Sequence, residues 1–200
     1  QARLSTLEDQ ATAIADMAGQ AAILEGFISF SREISIIGAR NIAGDVACFD
    51  PGENIHQAGI LRTTTVPAQI NATQRMDAVL LAAQIMNALD YVGVMGVELF
   101  VTGQGLIVNE IAPRVHNSGH WTQNGCAVDQ FEQHIRAIAN WPLADGSRHS
   151  DVTMTNLIGD DLNALEALSS QAGTALHLYG KAEIKPGRKM GHYNSVRPKS

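Results

Sequence analysis

The sequence predicts an α+β fold: an antiparallel sheet with helices, followed by a small β-rich unit toward the C-terminal end. Three observations predict it. Strand-like and helix-like stretches follow one another without a regular βαβ alternation, which argues against a doubly wound parallel sheet. The hydrophobic share is 45% and the charged share 17%, the balance of an ordinary globular chain rather than a disordered one. A chain of 200 residues also buries roughly 70% of the surface its unfolded form exposes, enough for one sizeable domain with or without a satellite.

The elements follow in order. Ser5 and Glu8 stand in capping-box spacing, and Leu7, Ala11, Ile14, Ala15 and Ala18 then keep helical spacing until Gly19. Ala22 to Phe30, Glu33 to Arg40 and Asp45 to Phe49 read as strands of an antiparallel meander. Pro51 to Pro67 reads as a long irregular segment, the kind that is often functional. Asn71 caps a second helix with Met76, Val79, Leu80, Ala83 and Met86 on one face. Two strands follow, Val92 to Val101 and Leu106 to Ile111, and Pro113 ends the second. Asp129 and Glu132 open a helix that presents Phe131, Ile135 and Ile138 and stops before Pro142. The polar stretch Ala144 to Ser150 is the expected boundary, giving domains 1–145 and 146–200. Beyond it come a strand over Val152 to Ile158, a short helix over Leu162 to Leu168, and strands over Ala175 to Tyr179 and Met190 to Val196. Trp121, Trp141 and the helix-face methionines read as packing, and His134 and His149 as structural or solvated.

Several function classes are excluded or disfavoured. No apolar run approaches the ~20 residues of a membrane span, and Gln1 to Gln20 carry acids without the apolar core of a signal peptide. Cys48 and Cys126 have no metal-ligand spacing and build no disulfide framework, which favours a reducing cytoplasm. The net charge of −6 argues against nucleic acid as a partner. Between Lys181 and Lys199, however, six basic residues face one acid, Glu183. That segment is either a solvated basic tail or the wall of a pocket for a small phosphorylated substrate. Lys185, Pro186 and Gly187 form a type II turn pattern that would bring Lys181 and Arg188 to one end of a hairpin.

Chemistry concentrates in the centre of the chain. A three-residue loop Gly103-Gln104-Gly105, with Gly105 left-handed in a G1 bulge, would pair Thr102 with Leu106 and set Glu98 opposite Glu110 on one face. Opposed carboxylates repel unless a hard divalent cation lies between them. A two-residue loop would instead put them on opposite faces. Directly after the second strand, Arg114, His116, Asn117, Ser118 and His120 crowd together. Arginine grips carboxylates and phosphates bidentately, and His and Asn donate to a developing anion. The alternative is a structural loop with Asx-turn chemistry. Walker-type, dinucleotide-binding, zinc-protease and nucleophile-elbow patterns are all absent from the sequence.

The runs Val94–Val101, Asn109–Thr122, Gln130–Arg136 and Gly187–His192, with Ile23–Ile28, Arg32–Ser35 and Glu53–Arg62, resemble the 5-(carboxyamino)imidazole ribonucleotide synthases. These are ATP-grasp ligases of purine biosynthesis, and the resemblance runs from about Ala21 to Arg197. It implies the larger ATP-grasp subdomain plus a small C-terminal domain. It implies ATP and Mg²⁺ as cofactors, and carboxylation of aminoimidazole ribonucleotide with bicarbonate through carboxyphosphate. By motif, Glu98 and Glu110 would hold Mg²⁺. Glu25, with Gly26, Phe27 and Ile28, would meet the adenine, Glu33 the ribose, and His56 and Asn109 would line the nucleotide site beside Glu110. Arg114, His116 and Asn117 would orient carboxyphosphate and the amine, and Lys181 and Arg188 would meet the ribonucleotide's phosphate. A cytoplasmic homodimer without nucleic-acid or membrane partners is implied too. Family members are longer at the N-terminus, so the chain is expected to be the C-terminal half of such an enzyme and inactive by itself. Another ATP-grasp carboxylating enzyme and a non-catalytic fragment are the alternatives.

Overall fold

Among the described residues, nine strands pair into one sheet, and each pairing is antiparallel. The structure is a computed structural model that describes residue 2 and residues 4–200. Helix α1 (Leu7–Asp16) comes first. Its capping box is Thr6 with Asp9, one residue beyond the expected Ser5 and Glu8, because the Asp9 carboxylate accepts from both Ser5 N and Thr6 N. The expected strand over Ala22 to Phe30 is absent and the segment is irregular. The flanks of β1 (Arg32–Arg40) are taken by later strands, so residues 22–30 have no ladder to join.

After β2 (Val46–Cys48), the segment expected to be irregular is instead a hairpin, β3 (Gly52–Gln57) and β4 (Ile60–Val66). Its turn residues, Ala58 at φ 49° and Gly59 at φ 74°, are both left-handed, as a two-residue I′ turn requires. Alanine pays a steric penalty there, which is why the turn does not announce itself in the sequence. Helix α2 (Ala72–Ala88) is capped by Asn71 as expected. Its buried face is Ala78, Ala82 and Met86, whereas Met76 and Leu80 of the expected face are exposed. The small alanines let the helix approach β1 closely, and the Met86 sulfur sits over Gly38, where a Cβ would lie 2.8 Å from it.

The next elements are β5 (Gly93–Thr102), β6 (Gly105–Ala112), a short α3 (Thr122–Gly125) and α4 (Gln130–Ile138). Asp129 caps α4, accepting from Phe131 N and Glu132 N. The expected inward face of α4 is its outward one: Phe131, Ile135 and Ile138 are 38%, 51% and 45% exposed, while Gln130 and Gln133 are 0% exposed. Trp141, expected in the core, is exposed as well. Buried amides replace apolar side chains because they pair with backbone. Gln133 Nε2 donates to Ala144 O at 2.7 Å, and Ala144 N donates back to Gln133 Oε1 at 3.1 Å.

The segment 144–150 leads into β7 (Ser150–Ile158), which pairs with β4 and so extends the same sheet. A 3-10 turn, α5 (Leu165–Ser169), β8 (Thr174–Leu178) and β9 (Lys189–Pro198) complete the chain, in the strand order β6-β5-β1-β3-β4-β7-β9-β8 with β2 on β1. Alternation along β1 feeds two cores. Ile34 and Ile36 join Met95, Val97, Leu99 and α2 on one side, and Ile37 and Ala39 join Phe49, Val94, Trp121 and Met154 on the other.

The two kinds of apolar residue should separate in urea unfolding. Ile34→Ala should cost about 2–5 kcal/mol, and Ile135→Ala on the outward face of α4 no more than about 0.5 kcal/mol.

Candidate active site

The β5–β6 hairpin turns through two residues, Gly103 and Gln104, because Thr102 pairs with Gly105 rather than with Leu106. Gly105 has the positive φ expected of it, 122°, but it is paired in the ladder instead of ending a three-residue loop. That register alone would set Glu98 across from Asn109. The ladder shifts by one residue between Glu98 and Leu99, so Asn109 is bulged and Glu98 faces Glu110 after all. The expected pairing therefore stands, with the extra residue at Asn109 instead of at the turn. The bulge decides the matter, because a one-residue slip reverses every side chain beyond it.

Glu98 is buried, and its pKa is pushed up to about 7 by burial, then by the charges of Glu110 and Glu33. Glu98, Glu110 and His116 each offer a ligand atom within 4.8 Å of the others, as do Glu33, His56 and Glu98. His56 Nδ1 lies 3.1 Å from Glu33 Oε2, and that carboxylate raises the His56 pKa. His116 is buried against Gly96, where a Cβ would come within 2.7 Å of the His116 Cβ. Burial, then the Arg114 and Lys189 charges, lower its pKa to about 4, so the ring is neutral near pH 7. His116 Nδ1 is 2.8 Å from Ser118 Oγ, and Nε2 is 3.9 Å from Glu98 Oε1. These groups fit a hard cation: two facing carboxylates that raise each other's energy, open to a cleft with room for phosphate oxygens.

Glu33, His56, Glu98, Asn109, Glu110, His116 and Lys181 line one cleft of about 740 Å³, with Gly59, Ile60, Leu61, Gly187 and Lys189. Asn117 reaches it through Lys189, whose Nζ donates to Asn117 Oδ1 at 2.8 Å. Asn117 is further held by reciprocal bonds with Asn156 at 2.7 and 2.9 Å. The other expected residues lie outside the lining. Arg114 is exposed and donates to Val115 O at 2.9 Å. Glu25, Gly26 and Phe27 are exposed, and Ile28 half-buried, on the irregular segment before β1. The Lys185–Arg188 turn forms as expected, with Gly187 at φ 73° and Arg188 N donating to Lys185 O at 3.0 Å. The Arg188 guanidinium, however, donates to Glu183 O at 3.1 Å and turns from the cleft. Lys189 takes the inward place, a residue the sequence reading missed. Arg188 still belongs to the turn, where its guanidinium bonds back to Glu183 O, and Lys189 as the first residue of β9 enters the cleft.

Next to the cleft, four rings form a column. His120 stacks on Phe131 at 5.5 Å and on His192 at 4.8 Å, and His192 stacks on His177 at 4.6 Å. His134 is structural, its Nδ1 accepting from Val94 N at 2.9 Å. A second cleft, of about 570 Å³, is lined by Cys48, Asp50, Arg75 and Arg148 among others. Its Arg148 is already neutralised by Asp50 and Asp151, and no metal-ligand cluster among the described residues falls there.

Comparison with known proteins agrees with this fold. Residues 1–131 match the family model of the ATP-grasp domain, and residues 152–200 that of the phosphoribosylaminoimidazole carboxylase C-terminal domain. An N5-carboxyaminoimidazole ribonucleotide synthase of Brucella melitensis is 50% identical over 100% of this chain and 56% of its own length. The ADP complex of an N5-carboxyaminoimidazole ribonucleotide synthetase superposes with a TM-score of 0.94 at 39% identity, covering 98% of this chain and 53% of that one. The Aspergillus clavatus synthase, solved with ADP and 5-aminoimidazole ribonucleotide, also gives 0.94 at 31% identity, covering 98% and 54%. The chain spans about half the length of the relatives it matches. Among the described residues no helix is long and apolar enough to cross a membrane.

The stacked imidazoles give the fold a pH signature. Burial lowers the His120 pKa to about 4 and the His192 pKa to about 3, well below the ~6.5 of an unfolded chain. Between those values the unfolded state binds more protons, so stability is full above about pH 6.5 and falls as the pH drops. The urea-unfolding free energy should decline below about pH 6.5 by roughly 1.4 kcal/mol per pH unit for each such histidine. In His192→Phe the decline should be shallower.

Proposed function

The chain belongs to the ATP-grasp family, and on that premise we propose that it forms the C-terminal part of an N5-carboxyaminoimidazole ribonucleotide synthase. The reaction joins bicarbonate to the exocyclic amine of 5-aminoimidazole ribonucleotide. Bicarbonate oxygen attacks the γ-phosphorus of ATP and ADP leaves. The amine then takes the carboxyl group from carboxyphosphate and releases phosphate. The observation that carries this reading is the pair Glu98 and Glu110, facing each other beside a neutral His116 and the Lys189–Asn117 contact in a single cleft.

The roles are those the family resemblance implies, and the shared cleft of Glu33, His56, Glu98, Asn109, Glu110, His116 and Lys181 supports them. Glu98 and Glu110 hold Mg²⁺, which when bound neutralises phosphate charge and relieves the repulsion between the two carboxylates. Glu33, braced by His56, meets the ribose, and Asn109, turned out by its bulge, lines the nucleotide site. The segment Glu25 to Ile28 borders the adenine. Arg114, His116 and Asn117 orient carboxyphosphate and the amine. Neutral His116 suits an uncharged amine, since it can accept or donate a hydrogen bond without adding a cation. Lys181 and Lys189 bind the ribonucleotide's phosphate, with Arg188 at the mouth of the same turn. This chemistry is mainly positioning and charge neutralisation. Two free thiols fit a reducing cytoplasm, where the enzyme works as a homodimer without nucleic-acid or membrane partners.

The direct test is ADP release by the full-length enzyme. It should require both bicarbonate and 5-aminoimidazole ribonucleotide, and release that ignores the ribonucleotide would overturn the reading. Glu110→Gln should lower turnover by about two orders of magnitude or more, with the thermal midpoint nearly unchanged because Glu110 is exposed. Lys181→Ala should raise the KM for the ribonucleotide roughly ten- to a hundredfold, the value of a charge-assisted contact, and leave the KM for ATP almost alone.

A further inference from the structure

We propose that Gln130, on the buried side of α4, is a positioning residue: one amide side chain fixes the backbone at His116 and the tautomer of His120. It thereby sets where the loop from Arg114 to His120 meets its substrates. The kinetic part of this inference rests on the function proposed above, and the structural part does not.

Gln130 is 0% exposed and uses its amide fully. Its Oε1 accepts from His116 N at 2.9 Å, and its Nε2 donates to His116 O at 2.8 Å, so one residue is gripped at both of its backbone polar groups. The second Nε2 hydrogen goes to His120 Nδ1 at 2.9 Å. The orientation of the amide is dictated by chemistry. Turned over, it would set an NH₂ against the His116 N–H and its oxygen against the His116 carbonyl. An amide nitrogen only donates, so His120 Nδ1 accepts, and the proton of the neutral ring sits on Nε2.

Gln130 is itself held. Its N–H donates to Thr122 Oγ1 at 3.1 Å, and that hydroxyl donates to Gly119 O at 2.7 Å. A Cβ at residue 119 would come within 2.5 Å of Gln130 Oε1, so only glycine leaves room for the amide. The ring of His120 is clamped between Phe131 and His192. His116, Gly119 and His120 are thus referred to one buried amide, in a reaction where small misplacements are expensive.

Gln133 supplies the control. It lies on the same helix, is equally buried and grips Ala144 at both backbone groups, yet Ala144, unlike His116, does not line the cleft. The experiment compares Gln130→Met with Gln133→Met in the full-length enzyme. Their thermal midpoints should fall by similar amounts. Only Gln130→Met should lower kcat, by about tenfold or more beyond the control, with the KM for ATP within about twofold of the parent. The isosteric Gln130→Glu serves if the methionine variant does not fold. Nitrogen-15 spectra should show the His120 proton on Nε2 in the parent enzyme, and on Nδ1 in Gln130→Glu, where a carboxylate has replaced the donor. Equal kcat losses in the two methionine variants, or a parent His120 protonated on Nδ1, would overturn the proposal. If the parent enzyme releases no ADP in response to the ribonucleotide, the functional reading falls, and the spectra still decide the role of Gln130.

Discussion

Two carboxylates facing each other across an antiparallel ladder impose the constraint on which the site is built. Glu98 and Glu110 are adjacent because Asn109 is bulged out of β6, and a straight ladder would have sent them to opposite sides. Burial and like charge push the Glu98 pKa up to about 7, so its anion is costly until a cation offsets the charge. The surroundings accommodate it. Lys189 and His56 pull the Glu98 pKa back down in part, whereas His116 is kept neutral by burial.

The same economy governs the loop after β6. Beyond the exposed Arg114 it is fastened from beneath, Asn117 through its side chain by Asn156 on β7 and His116 through its backbone by Gln130 on α4. That fastening reverses the usual polarity of α4, whose glutamines point inward and whose apolar residues point out. A buried amide that pairs with both groups of a peptide is as well satisfied as a strand in a sheet, so burying it carries no orphaned polar group. The cleft also depends on both parts of the chain. Lys181 comes from the β8–β9 connection and Lys189 from β9, the acids from the early strands, and the β4–β7 pairing joins the two parts into a single sheet.

Much of this was legible in the residues. Capping side chains placed α2 and α4, alternation placed β1, β5 and β6, and Pro186 with Gly187 placed the C-terminal turn. Glu98, Glu110 and the polar run at Arg114 to His120 stood out by chemistry and spacing, and Glu33 by the family resemblance. What failed did so for identifiable reasons. The β3–β4 hairpin hid behind Ala58, a poor turn former, and the strand expected at 22–30 had propensity but no partner. Lys189 was passed over for its neighbour Arg188 because charge is visible in a sequence and the residue at which a turn gives way to a strand is not.

By itself, then, the sequence determined most of the element types, the antiparallel α+β class and a set of candidate side chains for the chemistry, since propensities, caps and functional groups are local properties. Only the tertiary structure decided which of those side chains meet. The bulge at Asn109, the inward face of α4 and the choice of Lys189 over Arg188 each turn on a single residue of register or rotation. That residue is set by long-range pairing, through hydrogen bonds between segments far apart in the chain, and no local pattern encodes it.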